Sequence, residues 1–406
     1  MADSGGFSAA GESLANAMPT ATRSCAAATC AALLAILAGC ASLPPPAPPD
    51  DVLADGLFAP PRDPVRTDDL FAVSESMRAF LRNDIASQLR REGPQIGLAN
   101  ALQHRAQLKL EYDSGRTKTA AATFDSRSGN CLSLVLMTAA FAKELGLPVT
   151  YQSVSVVETW SRTGALLISS GHVNITLARR LVDVRAATDV PKLTIDFLPP
   201  EEITGYRTHE IGEHTVVAMY ANNRAAEALA DGRLDDAYAW AAASVRSDPG
   251  FRGGFNTLGV VYLRHGNLAE AARVFERVLA ADARDTRALA NLAVAYERQG
   301  RADAARDAHA RLAALEPYPP FYFFELGMAA VQRDDWRAAR ELFAREVARA
   351  DTYHEFHFWL GVADWRLGNE AAARRHLTLA IDNSLTRHQH DLYAAKLQWL
   401  QSHRQQ

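Results

Sequence analysis

The sequence predicts an α+β domain followed by an all-α solenoid of helical repeats. Three observations carry that reading: small residues recur every 34 positions through the second half, one helix of the first half is apolar almost all round, and β-rich segments follow that helix directly. A leader and a proline-rich stretch precede both parts. The net charge of −4 offers no basic surface for a nucleic-acid partner.

At the N-terminus, the run Ala26 to Gly39 is too short and too rich in small residues for a stable membrane span. It suits the apolar core of a signal peptide, with Arg23 supplying the positive charge before it. Leu37-Ala38-Gly39-Cys40 resembles a bacterial lipobox. That resemblance implies that residues 1–39 are a lipoprotein signal peptide and that Cys40 carries lipid. A start at Met18 would leave 22 residues before Cys40, a more ordinary leader. Residues 40–66, with prolines at 44, 45, 46, 48, 49, 60, 61 and 64, read as an extended tether. Ala41 replaces the aspartate that would resemble an inner-membrane retention signal. By analogy with Gram-negative lipoproteins, the expected location is the outer membrane, facing the periplasm.

Residues 67–216 have mixed character. Ser74 to Arg91 and Pro94 to Leu110 read as amphipathic helices. Asn130 to Leu145 carries apolar residues on every face, so it should be buried, and Gly146-Leu147-Pro148 stops it. Val149 to Val157, Ala165 to Ser169, His172 to Leu177 and Lys192 to Phe197 read as strands. A central helix with a following antiparallel sheet makes an α+β domain.

Of the four cysteines, Cys25 and Cys30 lie in the leader and Cys40 closes the lipobox, so Cys131 stands alone in the folded body. A lone thiol in an oxidising compartment is a liability unless buried or used. Cys131 falls in the first turn of the apolar helix, where the helix dipole favours a thiolate and the amides can hold an oxyanion. A cysteine nucleophile needs a base, and the base needs an orienting acceptor. His172 begins one predicted strand, and Asp196 lies on what should be its antiparallel neighbour. Asp183, which also follows His172, is the alternative orienter. Each residue also has a structural reading: a buried small thiol, an edge histidine, a turn aspartate.

Gly129-Asn130-Cys131 opening an apolar helix, a later strand with His172, and a strand ending Asp196-Phe197-Leu198-Pro199 resemble the transglutaminase-like, papain-related superfamily. The resemblance covers roughly residues 110 to 200. It implies a papain-like α+β fold with Cys131 as nucleophile, His172 as general base and Asp196 as orienter. No second oxyanion donor is identifiable.

In the second half three registers stay in phase over five copies. Ala225, Gly259, Ala293, Gly327 and Gly361 form the first; Gly232, Gly266, Gly300, Asp334 and Gly368 the second; Ala237, Ala271, Ala305, Ala339 and Ala373 the third. The first and third let paired helices cross closely, and the second supplies the turn between them. The period is that of tetratricopeptide repeats, which implies five units across 218–387 and a peptide or protein partner in the repeat groove. The slot filled by Tyr262 and Tyr296 holds Ala330 and Asp364 in the last two units, so their packing should differ. Residues 388–406 read as a capping helix.

No metal or cofactor is expected. His354, His357, His388 and His390 have no cysteine partners and lack zinc spacing, and no glycine-rich phosphate loop is present. The sequence therefore points to a lipid-anchored cysteine acyl-transfer enzyme, a protease, amidase or transglutaminase. The rival is a non-catalytic scaffold with a degenerate papain-like domain. A thiol-redox role for Cys131 ranks last, because no resolving cysteine accompanies it.

Overall fold

Ser74 opens the helical part of the first half: its side-chain oxygen accepts the Met77 amide and caps α1 (Glu75–Ala79). The computed structural model describes residues 49–103, 108, 110–113, 115–163, 166–179, 192–197, 207–384 and 387–402. The leader, Cys40 and Asp183 lie outside the described residues. The single helix expected from Ser74 to Arg91 is instead two, α1 and α2 (Ala86–Glu92), joined by a π turn over Phe80–Asp84. Phe80 and Leu81 within that turn are buried, and Phe80 meets the rings of Phe124 and Phe141 at 5.5 and 5.8 Å. Packing against those rings accompanies the widened turn. Gly93, at φ +82°, then separates α2 from α3 (Pro94–Gln103), and Leu108 lies in a turn.

The next segment builds a small frame. β1 (Glu111–Tyr112) pairs in parallel with β2 (Ser128–Gly129), and α4 (Ala120–Ser126) connects them. Asn130 caps α5 (Cys131–Glu144) by accepting the Ser133 amide. Every residue from 132 to 142 is buried, as an all-round apolar helix requires. One side of α5 packs on a four-stranded antiparallel sheet of order β5-β4-β3-β6, formed by β3 (Val149–Thr163), β4 (Leu166–Ala178), β5 (Lys192–Ile195) and β6 (Arg207–Ile211).

The two runs expected before and after Ser170-Gly171 are one continuous strand, β4, with His172 in its interior rather than at its start. Ser170 keeps its pairing, with Thr159, because a register shift between Val154 and Thr159 of β3 absorbs the irregularity. That shift falls directly beside the Val154–His172 pair.

The second half consists of paired helices: α6 (Glu213–Ala230) with α7 (Leu234–Ser247), α8 (Arg252–His265) with α9 (Leu268–Ala281), α10 (Thr286–Arg298) with α11 (Ala302–Leu315), α12 (Tyr322–Gln332) with α13 (Trp336–Val347), and α14 (His354–Arg366) with α15 (Glu370–Asp382). α16 (Arg387–Ser402) packs on α15. The turn register adopts left-handed backbone in all five pairs, at φ +73°, +97°, +73°, +58° and +80°. Asp334 is its one non-glycine member, and its carboxylate accepts the Trp336 indole N–H at 2.6 Å. In the last pair Asp364, fully buried, fills the tyrosine slot and accepts Arg340 at 2.6 Å.

The two halves share one helix. Val216 and Tyr220 of α6 belong to the core around α5, whereas Ala225 and Ala228 belong to the core of the first repeats. A further difference concerns the stretch read as a free tether. From Pro49 to Arg62 it lies against α7, α8 and α9, with Val52 only 4% exposed in the repeat core.

A Cβ added at Gly259 would lie 2.4 and 2.5 Å from ring carbons of the fully buried Phe275. Gly259→Ala should therefore lower stability by about 1–3 kcal/mol, read from urea unfolding, because the packed pair must separate.

Candidate functional site

Cys131 owes its position to the turn that precedes it. The Asn130 carboxamide oxygen accepts both the Ser133 amide, at 3.0 Å, and the Ser133 hydroxyl, at 2.8 Å, while its nitrogen donates to Thr117 Oγ1 at 2.9 Å. Ser133 Oγ in turn accepts the Lys118 amide at 2.9 Å. Lys118 Nζ reaches Ser128 Oγ at 2.7 Å, the Ser128 carbonyl at 3.0 Å and Ser126 Oγ at 3.1 Å. Gly129 has no room for a side chain, since a Cβ there would meet Ser133 Cβ at 2.7 Å. The loop ahead of the cysteine is thus tied at both ends, and Cys131 itself is half-buried and forms no disulfide.

The imidazole comes from β4. Antiparallel pairing of β4 with β5 sets Ile175 opposite Ile195 and brings Asp196, the residue after β5, level with Asn174 and diagonally across from His172. His172 Nε2 lies 2.7 Å from Asp196 Oδ1, and both side chains are nearly enclosed, 4% and 9% exposed. Asn174 lies two residues further along β4, on the same face, and donates to Asp196 Oδ2 at 3.0 Å. Both carboxylate oxygens are therefore held. Burial alone would push the His172 pKa down. Interactions with Asp196 first, and then with Cys131, outweigh it and lift the value to about 9. The structure thus brings His172 and Asp196 into direct contact, and Cys131 contributes to the electrostatics of the ring.

Two members of the cluster escape sequence reasoning. Tyr112 reaches it through the β1–β2 pairing, which sets Tyr112 beside Gly129, and the Cys131 thiol points to its hydroxyl oxygen at 3.8 Å. No local pattern marks Tyr112, because a two-residue parallel ladder leaves no periodicity. Asn174 had a signal: alternation puts it on the face of His172, the face that meets Asp196.

The first repeat helix braces the same loop. Glu227 of α6 accepts the Thr117 amide at 2.7 Å, and burial raises its pKa against the opposing pull of that amide and of Arg224. At the other end of α5, Lys143 pairs with Glu213, which also accepts the Tyr151 hydroxyl at 2.9 Å.

Elsewhere, His354 lies 2.7 Å from the Tyr393 hydroxyl, and burial lowers its pKa to about 4. His357 Nδ1 lies 3.1 Å from His376 Nδ1. Among the described residues no group of three or more His, Cys, Asp and Glu side chains is placed to hold a metal ion.

Comparison with known proteins bears on the helical half. A tetratricopeptide-repeat family model matches residues 256–320 and 324–384. The second half of the chain carries tetratricopeptide repeats. Solved structures similar to it include the MamA protein, 20% identical over 43% of this chain and 93% of its own, with a TM-score of 0.25. YrrB, described as a tetratricopeptide-repeat protein with an unusual peptide-binding site, is 21% identical over 44% of this chain and 92% of its own, with a TM-score of 0.24. A thermophilic tetratricopeptide-repeat protein of Thermus thermophilus is 15% identical over 45% of this chain and 100% of its own, with a TM-score of 0.29. No curated protein matches the chain. Repeats of this kind make the second half a protein-interaction scaffold.

The raised His172 pKa has a consequence for stability. A group whose folded pKa lies above its unfolded value of 6.5 stabilises the fold fully below that pH, and the contribution disappears as pH rises toward about 9. Wild type should lose stability across that window, by at most on the order of 3 kcal/mol, and His172→Gln should flatten the profile. Urea unfolding of both at the two pH extremes measures it.

Proposed function

We propose that the first half is a transglutaminase-like cysteine acyl-transfer catalyst, and that the repeats recruit its peptide or protein substrate. The chain would be lipid-anchored through Cys40 in the outer membrane, facing the periplasm. The observation that supports the chemistry most is the enclosed His172–Asp196 pair beside a free thiol at a helix tip. In this reading Cys131 thiolate attacks an amide carbonyl, forming a C–S bond. The C–N bond then breaks, with His172 giving its proton to the leaving amine. Water, or a second amine, releases the acyl group from the thioester, and His172 takes up the proton of that nucleophile. Asp196, fixed by Asn174, steadies the imidazolium. The Cys131 amide, at the start of α5, and the Tyr112 hydroxyl would donate to the developing oxyanion. Whether water or an amine accepts the acyl group decides between protease or amidase and transglutaminase.

A second reading is a scaffold in which the papain-like domain has no catalytic role. Its support is that the matched family covers only the repeats, and that Glu227 and Glu213 tie the first half to α6 as a structural neighbour would.

Alkylation by iodoacetamide separates the two. An activated thiolate labels at mildly acidic pH, and labelling vanishes in Cys131→Ala; labelling of wild type only at alkaline pH sinks the catalytic reading. On any amide substrate that wild type turns over, Tyr112→Phe should lower kcat by roughly 10- to 1000-fold with little change in KM, the loss expected for one oxyanion donor.

A further inference from the structure

The stretch from Asp51 to Arg62 is recognised by the repeats in detail. Arg277 pairs with Asp51 at 2.7 Å, and Arg246 with Asp55 at 2.8 Å. The Tyr262 hydroxyl donates to the Val52 carbonyl at 2.9 Å. The Tyr238 hydroxyl accepts the Ala54 amide at 2.9 Å and donates to Asp55 at 2.7 Å. Phe58 stacks on Tyr238 with ring centres 4.1 Å apart and planes 4° from parallel, and touches His265 at 4.3 Å. Beyond it, Asp235 and Asp236 accept the amides of Ala59 and Arg62 at 2.9 and 2.7 Å.

These contacts read both backbone and side chains, as a peptide site does. Two cations meet two aspartates, an aromatic shelf meets one phenylalanine, and a buried notch takes one valine. The cations and the shelf belong to α7 and α9, the second helices of the first two repeats, together with Tyr262 and His265 near the end of α8. We propose that this face is a docking site for an extended acidic–aromatic segment of another protein, with the pattern Asp-x-x-x-Asp-x-x-Phe, and that residues 51–58 fill it in cis. The charge complementarity and the occupant already seated on the face argue for that partner. Joined through a short connection, the cis segment holds an effective concentration on the order of millimolar at its site. A partner in trans must displace it, so the intact chain is self-masked. The proposal needs no chemistry at Cys131, and the two readings fail separately.

The probe is a fluorescein-labelled peptide of residues 49–62, followed by polarisation. It should bind the full chain carrying Asp55→Ala and Phe58→Ala at least about tenfold more tightly than wild type. Adding Arg246→Glu to that variant should abolish binding. A protease site inserted after Pro64 gives a second route, in which the masking segment is severed from an already folded chain and should exchange for the labelled peptide. The proposal is overturned if unmasked and wild-type chains bind the peptide equally, if Arg246→Glu leaves binding intact, or if the severed segment never exchanges. It is also overturned if severing it melts the repeats, which would make the segment a part of their core.

Discussion

A helix that is apolar on every side cannot face water, and the rest of the first half follows from enclosing α5. The sheet covers one side; α1, α3, α4 and the π turn contribute to the same core. The helix interior is then anhydrous, so its polar residues must be satisfied locally, as Thr138 is by the Leu134 carbonyl at 2.8 Å. Its two ends alone reach the surface, Lys143 and Glu144 at one and the half-buried Cys131 at the other. Enclosure of α5 thereby leaves the thiol at a half-buried helix tip.

The same enclosure binds the halves together. α6 has one end in the core around α5 and the other in the core of the repeats. Its carboxylates hold both ends of the site frame, Glu227 at Thr117 and Glu213 at Lys143 and Tyr151. The loop before Cys131 and the first repeat are therefore joined through one helix, α6.

Occupancy of the first two repeats by residues 49–62 alters how an anchored chain would be held. Residues 49–62 belong to the folded body, with Val52 in the core of the repeats. Acidic residues that a solvated tether would leave in water are paired instead with Arg246 and Arg277. Partly exposed pairs of this kind contribute modestly to affinity and more to register. The apolar contacts of Val52 and Phe58 therefore supply most of the hold.

Much of this molecule is written locally. Fixed spacing of Gly259, Gly266 and Ala271 and their equivalents determines the repeats, because helix crossing and the left-handed turn are steric demands on single residues. The all-round apolar pattern of 132–142 determines burial of α5, and Asn130 determines where it starts. Cys131, His172 and Asp196 were legible as types in order, since strand alternation and an antiparallel neighbour set their meeting. Tyr112, Asn174 as a brace, the unbroken β4, the π turn and the docking of Asp51 to Arg62 were not. Each depends on a partner far along the chain: Gly129 for Tyr112, Asp196 for Asn174, the β3 irregularity for β4, Phe141 for Phe80, and Arg246, Tyr238 and Tyr262 for the docked segment. Local sterics and hydrophobic periodicity act within a few residues, so sequence alone determined the repeats, the buried helix and the candidate nucleophile. Contacts across long separations exist only once the chain has closed, so the tertiary structure alone decided what surrounds the thiol and what covers the first repeats.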